Sequence, residues 1–263
     1  MPPDILLFDV GNTSVKIGLA NARHVLASYT LHTATAQTAD DFGLTLCSLL
    51  GHAGVDGGRL KACVASSVVP DFDPILREAV ARYVGCPLLR VGKELPVPLE
   101  NHYEHPNEVG ADRLVGAYAA RRLYPETPSL LVADFGTALT IDCVHDDAYL
   151  GGLIFPGPRT ALDALAAKAA KLPRVNLDVR GEEPTPGRDT ATSIRHGLVF
   201  GFACLVEGLT LRLKRQMSGP ARILGTGGFA EAMARVSPVF DMVLPTLLLE
   251  GLRRLYYEQG DGR

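Results

Sequence analysis

The strongest constraint on the fold is a pattern that occurs twice in this 263-residue chain. In each copy an apolar run ends in an aspartate, a glycine-containing turn follows, and a second run alternates apolar and polar residues. The copies span residues 5–19 and 130–142, and Asp9 of the first is equivalent to Asp134 of the second. Such a pattern predicts a hairpin of two strands. Two of them predict a duplicated α/β architecture, with two similar lobes of mixed sheet flanked by helices.

A linker with two prolines at 125–128 divides the chain into the predicted lobes. The N-terminal lobe, residues 1–124, contains the first turn. The C-terminal lobe, residues 129–263, contains the second turn and a third glycine-rich turn, which follows an apolar strand at residues 221–224. Apolar residues at helical spacing after Gly110 predict a helix whose first turn contains the segment Gly-Ala-Asp-Arg. At that position the free N–H groups and the helix dipole favour a negative charge.

Composition and charge exclude several classes of protein. The formal net charge of −3 argues against a protein that binds nucleic acid by neutralising phosphates. The pairs Arg121–Arg122 and Arg253–Arg254 are interpreted as solvated helix faces. Five scattered cysteines without a CxxC pair support neither a disulfide framework nor a zinc site.

The sequence predicts a cytoplasmic protein that does not associate with a membrane. The N-terminus has no basic region before its apolar residues, which is not the pattern of a signal peptide. The most apolar helical stretch, residues 198–206, is stopped by Glu207 and is shorter than a membrane span.

The three turns predict a nucleotide held by backbone amides. Glycine removes the side chain that would keep a phosphate away from the N–H groups. The first two turns would hold phosphates, with Lys16 in reach of one, and the third would face the adenosine. Because carboxylates beside phosphates repel them, Asp9 and Asp134 predict metal ions between acid and phosphate. The first turn does not match GxxxxGK[ST], which excludes a Walker-type phosphate loop. Residues 225–228 do not fit GxGxxG, so they do not indicate a dinucleotide-binding site.

Each of these features also has an ordinary structural explanation. One Asp-x-Gly turn occurs in simple hairpins, and residues 225–228 alone describe a strand–helix turn. Asp112 is also explained as a partner of the helix dipole, with Arg113 its surface neighbour. Tyr103 alone is a loop aromatic. The seven histidines show no HxxxH or HExxH spacing, so they predict no metal site.

Four motifs in order resemble the type III pantothenate kinases, members of the superfold of actin and the sugar kinases. They are Asp9-x-Gly-Asn-Thr with Gly18, Gly110-Ala-Asp-Arg113, Asp134-x-Gly-Thr-Ala-x-Thr-x-Asp142 and Gly151-Gly-x-Ile-x-Pro-Gly157. The resemblance extends from Asp9 to the stretch 249–252, and it implies the duplicated ribonuclease H-like, actin-like ATPase fold. Asp189 departs from the family pattern, which usually has asparagine before the threonine equivalent to Thr190.

The resemblance implies ATP-dependent phosphorylation of pantothenate to 4′-phosphopantothenate, the first step of coenzyme A synthesis. ATP would lie between the lobes, with Asp112 as the general base. Asp9 would hold Mg²⁺ through water, and Asp134 a monovalent cation, K⁺ or NH₄⁺. The implied ATP-binding residues are Asp9, Gly11, Asn12, Thr13, Lys16, Thr137, Gly227 and Gly228. The implied pantothenate-binding residues are Tyr103, Gly110, Ala111, Asp112, Arg113 and, from the partner subunit of a homodimer, Thr190.

Other functions stay open at this point. A kinase of the same superfold for a sugar or another hydroxy-carboxylate fits the lobes equally well, and only Tyr103 and the segment 110–113 favour pantothenate. A regulatory protein, such as an accessory factor for transcription, would keep the fold without turnover, which the intact Asp9, Asp112 and Asp134 disfavour. An ATP-driven chaperone or filament subunit would need larger lobes than this length allows.

Overall fold

The computed structural model describes residues 1–169, 171–179 and 181–260, which contain both strands and helices. The strands are β1 (Ile5–Val10), β2 (Ser14–Ala20), β3 (Val25–His32), β4 (Ala62–Ser67), β5 (Leu88–Arg90), β6 (Glu100–Asn101), β7 (Ser129–Phe135), β8 (Ala138–His145), β9 (Ala148–Pro156), β10 (Ala221–Thr226) and β11 (Met242–Val243). The α-helices are α1 (Ala39–His52), α2 (Asp73–Ala79), α3 (Ala111–Leu123), α4 (Pro158–Lys168), α5 (Thr190–Lys214), α6 (Ala230–Ala234) and α7 (Leu247–Gly260). The predicted α/β class is confirmed.

The chain forms two compact units. The first comprises Met1–Leu99, His105–Ala119 and the described residues from Thr246 onward, and the second comprises Glu100–Glu104 and the described part of Ala120–Pro245. Helix α7 belongs to the first unit because its buried leucines pack on β1, β2 and β4. The division into lobes 1–124 and 129–263 stays a prediction, and residues 261–263 of the second lobe lie outside the described residues.

The first unit is built on a five-stranded sheet with the order β3-β2-β1-β4-β5. Strand β1 lies at its centre, antiparallel to β2 and parallel to β4. Its even-numbered residues, such as Leu6 and Phe8, join the core that includes Phe42 of α1 and Leu76 of α2. The opposite face contacts α7. Every residue of β1 is buried, as expected of a strand covered on both sides.

The second unit repeats this arrangement around β7. Its sheet has the order β11-β10-β7-β8-β9-β6, and β7 is antiparallel to β8 and parallel to β10. Leu131 and Ile141 of the hairpin pack in one core with Val199 and Val206 of α5. Both hairpins therefore contribute a central strand with an antiparallel partner on one side and a parallel partner on the other. This confirms the prediction of two similar sheets flanked by helices.

Two predictions about charged residues are wrong. Arg121 and Arg253, interpreted from sequence as solvated, are only 5% and 6% exposed. The Arg253 guanidinium donates to the Glu250 carboxylate at 2.8 Å and to the carbonyl of Ala22 at 2.5 Å. The long aliphatic stem of arginine allows such burial when the planar head finds acceptors.

The apolar stretch 198–206 forms part of α5, which continues past Glu207 to Lys214. Within the part of the chain that the structure describes, α5 is the one helix long and apolar enough to cross a membrane by length and composition. Length and composition alone are weak evidence for a membrane span, since the core helices of soluble proteins have the same properties. Val199, Phe200 and Val206 are buried in the core of the second unit, which accounts for the composition.

Candidate active site

The first predicted phosphate turn connects β1 to β2. The Gly11 N–H donates to the carbonyl of Ser14 at 3.0 Å and closes the turn. From the end of β3, the Thr33 hydroxyl donates to the carbonyl of Gly11 at 2.6 Å, an anchor that the sequence analysis missed. The side chains of Asn12 and Thr13 are exposed at the tip. The turn is therefore held from behind while its tip stays open to a ligand.

Asp9 and Lys16 lie beside this turn on neighbouring strands. They are direct partners in the register of β1 and β2, and the Lys16 Nζ lies 4.0 Å from an Asp9 carboxylate oxygen. Only 11% of the Asp9 side chain and 23% of the Lys16 side chain are exposed. A buried acid and a half-buried base at the ends of neighbouring strands can hold a hydrated cation and a phosphate, respectively.

The segment that contains Asp112 lies at the same end of the sheet. The Val68 N–H, just past β4, donates to the carbonyl of Val10 at the end of β1, at 3.0 Å. Gly110 in turn packs on Val68, because a Cβ built at Gly110 would lie 3.4 Å from a Val68 methyl group. The structure therefore brings the Gly110–Arg113 segment close to the carboxyl end of β1, where Asp9 lies.

Asp112 is placed at the start of α3 and is half-buried. Its carboxylate accepts the N–H of Arg113 at 2.8 Å. A Cβ at Gly110 would overlap the same carboxylate, so only glycine leaves it room. Burial raises the pKa of Asp112 above its ordinary 3.8, and the hydrogen bond from Arg113 offsets this in part. A raised pKa makes a carboxylate a stronger base.

The second predicted phosphate turn, between β7 and β8, is held by the segment that follows β9. The carbonyl of Thr137 accepts the N–H of Gly157 at 2.9 Å and the hydroxyl of Thr160 at 2.6 Å. A Cβ at Gly157 would overlap the carbonyl of Gly136, which explains the Pro-Gly motif there. The Thr137 side chain is exposed. Like the first turn, the second is fixed from behind and open at its tip.

Asp134 and the third glycine turn lie against each other in the second unit. Thr226 at the end of β10 is the register partner of Asp134. Gly227 follows with φ 89°, and a Cβ there would overlap the Asp134 carboxylate and lie 2.7 Å from the backbone of Phe135. Gly228 is exposed. The close approach requires glycine at 227 and places the third turn directly beside the acid of the second.

Tyr103 is held by two features that the sequence analysis did not connect with it. The side-chain oxygen of Asn101 accepts the Tyr103 N–H at 3.1 Å. The Tyr103 ring packs on Gly151, where a Cβ would lie 3.3 Å from it, and its centroid is 6.5 Å from that of Tyr149. The fully buried Tyr149 donates in turn to Asp142 at 2.8 Å. The glycine at 151, with φ 107°, is therefore needed for the aromatic packing.

Thr190 is the first residue of α5 and is exposed. Asp189 caps the helix by accepting the N–H of Thr192 at 2.8 Å. Beside Thr190 lies an open groove of about 580 Å³. It is lined by Leu165, Leu172, Gly187, Arg188, Asp189, Thr190, Ser193, Ile194, Gly197 and Leu198. The Thr190 hydroxyl is therefore accessible in the isolated chain.

The candidate residues thus form two sets, one in each unit. The first unit brings together Asp9, Lys16, the turn 11–13 and the segment 110–113. The second brings Asp134 together with the turn that contains Gly227, while Tyr103 and Thr190 lie elsewhere in the same unit. In the described ranges no three His, Cys, Asp or Glu side chains cluster as a metal cage would require.

Comparison with known proteins shows the family. The model of the type III pantothenate kinase family matches residues 5–212. The type III pantothenate kinase of Desulfovibrio desulfuricans (strain ATCC 27774) is 76% identical to this chain, over 98% of each protein. That of Nitratidesulfovibrio vulgaris (strain DP4) is 55% identical, also over 98% of each.

Solved structures show the fold. A Campylobacter jejuni protein described as belonging to the Baf family of transcriptional activators superposes with a TM-score of 0.59 at 19% identity, covering 97% of this chain and 99% of that one. The polyphosphate/ATP-glucomannokinase of an Arthrobacter species superposes with a TM-score of 0.51 at 14% identity, over 100% of both chains. The expected actin-like, sugar-kinase ATPase fold is confirmed. From the sequence matches, the chain belongs to the type III pantothenate kinase family.

Proposed function

We propose that this protein transfers the γ-phosphoryl group of ATP to pantothenate and forms 4′-phosphopantothenate, the first step of coenzyme A biosynthesis. Besides membership of the family, one structural observation carries the proposal. In the first unit, Asp112, a carboxylate with a raised pKa, follows Gly110, which packs on Val68 where Val68 bonds the end of the strand that carries Asp9. This is the combination of base and phosphate-binding turn that a small-molecule kinase needs.

ATP is held by the turns. Backbone N–H groups of residues 11–13 and the Lys16 ammonium bind phosphate oxygens, and Thr137 of the second turn binds the same triphosphate. Gly227 and Gly228 present a surface without side chains to the adenosine. Phosphoryl transfer passes through a loose transition state, so positioning and charge neutralisation supply most of the rate. Turns that are anchored from behind suit this task, because they need little reorganisation on binding.

Pantothenate is bound by the segment that follows Gly110. Asp112 accepts the proton of the primary hydroxyl as that oxygen attacks the γ-phosphorus. Arg113 binds the carboxylate of pantothenate, since its planar guanidinium can bond both oxygens. Tyr103 packs on the aliphatic part of the substrate.

The cations are proposed from the donors present. Mg²⁺ usually keeps several waters and is bound by one or two carboxylates together with substrate phosphates, which fits the single carboxylate of Asp9, whose side chain is 11% exposed. Asp134, with Gly227 against it, would hold a monovalent cation, K⁺ or NH₄⁺. When bound, these ions would neutralise charge on the phosphates.

A homodimer completes the proposal. Helix α5 has an exposed face of mostly small residues, formed by Gly197, Gly201, Cys204, Gly208 and Leu211. A Cβ at each of the three glycines would meet no other described atom within 4 Å, so this face is open in the single chain. A second copy packed on it would bury α5 on both sides and bring Thr190 to the pantothenate site of its partner. We place this dimer in the cytoplasm.

A coupled assay of ATP consumption tests the function and its alternatives. The purified protein is supplied with Mg-ATP and with pantothenate, a sugar panel or no acceptor, in K⁺ or in Na⁺. We expect turnover only with pantothenate and several-fold faster in K⁺. Turnover with a sugar alone would favour a different kinase, and no turnover with any acceptor would favour a regulatory homologue. Equal rates in K⁺ and Na⁺ would remove the monovalent cation from Asp134.

A further inference from the structure

Ser66 carries a buried hydroxyl for which the fold provides no partner. The residue is 1% exposed, and its Oγ makes no hydrogen bond within the described part of the chain. Its neighbour Ser67 differs, because the Ser67 hydroxyl accepts the N–H of Val69 at 3.3 Å. A buried hydroxyl without a partner costs about 1–3 kcal/mol, and native structures rarely keep one unless a ligand or water satisfies it.

The register of the sheet places Ser66 beside Asp9. Ser66 on β4 is the direct partner of Asp9 on β1, and Asp9 is the direct partner of Lys16 on β2. Directly opposed residues in a sheet point to the same face. Lys16, Asp9 and Ser66 therefore form one polar row across three neighbouring strands. Two residues earlier on the same strands and the same face, Leu7 of β1 and Val64 of β4 are apolar and buried.

The row lies at the end of the strands that faces the rest of the candidate site. Two residues after Ser66, Val68 contacts both the end of β1 and Gly110. The unsatisfied hydroxyl therefore lies on the strand position beside the acid proposed to hold the divalent cation, two residues before the contact with the segment that carries the base. A serine hydroxyl is both donor and acceptor, so it can bond a water ligand of a cation as well as a carboxylate oxygen.

We propose that Ser66 is a positioning residue for the cation site, with its hydroxyl bonded to the water shell of the hydrated divalent cation held at Asp9. This inference rests on the proposed function. It adds to the site a residue that the motifs do not contain. Outer-shell partners of this kind fix the orientation of a ligand, and their removal weakens metal binding by about 10–100-fold.

The test measures cation affinity directly, with Mn²⁺ as the probe for the divalent site. Binding of Mn²⁺ to the protein–ATP complex is followed by electron paramagnetic resonance, and the Mg²⁺ dependence of pantothenate phosphorylation is measured in parallel. For Ser66→Ala we expect Mn²⁺ affinity to fall about tenfold, with a matching rise in the Mg²⁺ concentration for half-maximal rate. We expect Ser66→Thr, which keeps the hydroxyl, to recover most of the affinity.

Ser237→Ala is the matched control. Ser237 also has a buried hydroxyl without a hydrogen bond, but it lies in the second unit between α6 and β11. Removal of the Ser237 hydroxyl should leave the Mn²⁺ affinity unchanged. If Ser66→Ala fails to fold, Ser66→Cys removes the strong donor at nearly constant volume and should give the same loss.

Three outcomes would overturn the inference. They are wild-type Mn²⁺ affinity in the Ser66 variants, equal losses in Ser66→Ala and Ser237→Ala, or no recovery in Ser66→Thr. Failure of the proposed function itself is distinct, since the wild-type protein would then not phosphorylate pantothenate at all.

Discussion

Asp112 is the residue whose surroundings are most specific to the proposed chemistry. Burial raises its pKa, which means that the folded protein disfavours the charged form. The ordinary effect of a helix start is the opposite, because the dipole stabilises a negative charge there. The explanation of Asp112 as a simple partner of the helix dipole therefore does not account for the direction of the shift.

Replacing Asp112 by asparagine should separate turnover from folding. A general base supplies about 10²–10⁴-fold in rate, so Asp112→Asn should lose at least a hundredfold in kcat. ATP affinity should change little, because the proposed contact of Asp112 is with the acceptor and not with the nucleotide. Steady-state kinetics and calorimetric ATP titration measure the two effects. Unchanged turnover would refute the role of Asp112 as base.

The same substitution should raise stability at neutral pH. The folded-state pKa lies above the unfolded one, so the stability gained by protonating Asp112 is complete below pH 3.8 and is lost as the pH rises through the raised pKa. At pH 7 the wild-type chain therefore carries a desolvated charge that Asp112→Asn lacks. We expect a higher Tm for the variant at pH 7, and a difference that shrinks as the pH is lowered through the raised pKa of Asp112. A variant less stable than wild type at pH 7 would contradict the sign.

At the scale of elements, the connection between α3 and β7 is held by one arginine. The Arg121 guanidinium donates to the carbonyls of Tyr124 and Pro125 at 3.1 and 3.2 Å, and to those of Thr127 and Pro128 at 2.7 and 3.2 Å. These carbonyls follow the last turn of the helix, in a segment whose two prolines cannot donate N–H groups of their own. In the linker, the Arg121 guanidinium thus supplies the hydrogen bonds that regular secondary structure would otherwise provide.

Arg121→Ala should therefore destabilise the second unit. Hydrogen bonds from a charged donor contribute about 1.5–3 kcal/mol each in favourable cases, and water would satisfy some of the released carbonyls, so we expect a net loss of about 3 kcal/mol. The exposed neighbour provides the control, since Arg122→Ala should change stability by less than about 0.5 kcal/mol. Thermal unfolding of both variants measures the difference. Equal midpoints would show that the linker does not depend on Arg121.

Local sequence patterns predicted the strands and helices better than they predicted the contacts between distant segments. Both hairpins and the start of α3 follow from periodicity and turn residues. The burial of Arg121 was not predictable, because its acceptors come from an irregular linker whose path the sequence does not define. Ser66 was also missed, because its relation to Asp9 depends on the register between strands separated by more than fifty residues. Local signals carry no information about such a pairing.

For the whole molecule, the proposed function depends on the presence of the same strand–turn arrangement in both units. Each unit places an aspartate at the end of a central strand, followed by a glycine turn that is anchored from behind and open at its tip. A single turn of this kind would bind a phosphate weakly. The proposed function requires that both turns bind the same triphosphate.

Calorimetric titration of Mg-ATP into the wild-type protein and two variants tests this requirement most directly. Lys16→Ala removes the phosphate contact proposed beside the first turn, and Thr137→Ala removes the one proposed for the second. We expect one ATP per chain and weaker binding in both variants, by roughly tenfold for the loss of the charged contact. Two ATP molecules per chain, or a variant of either turn that retains the wild-type affinity, would contradict it.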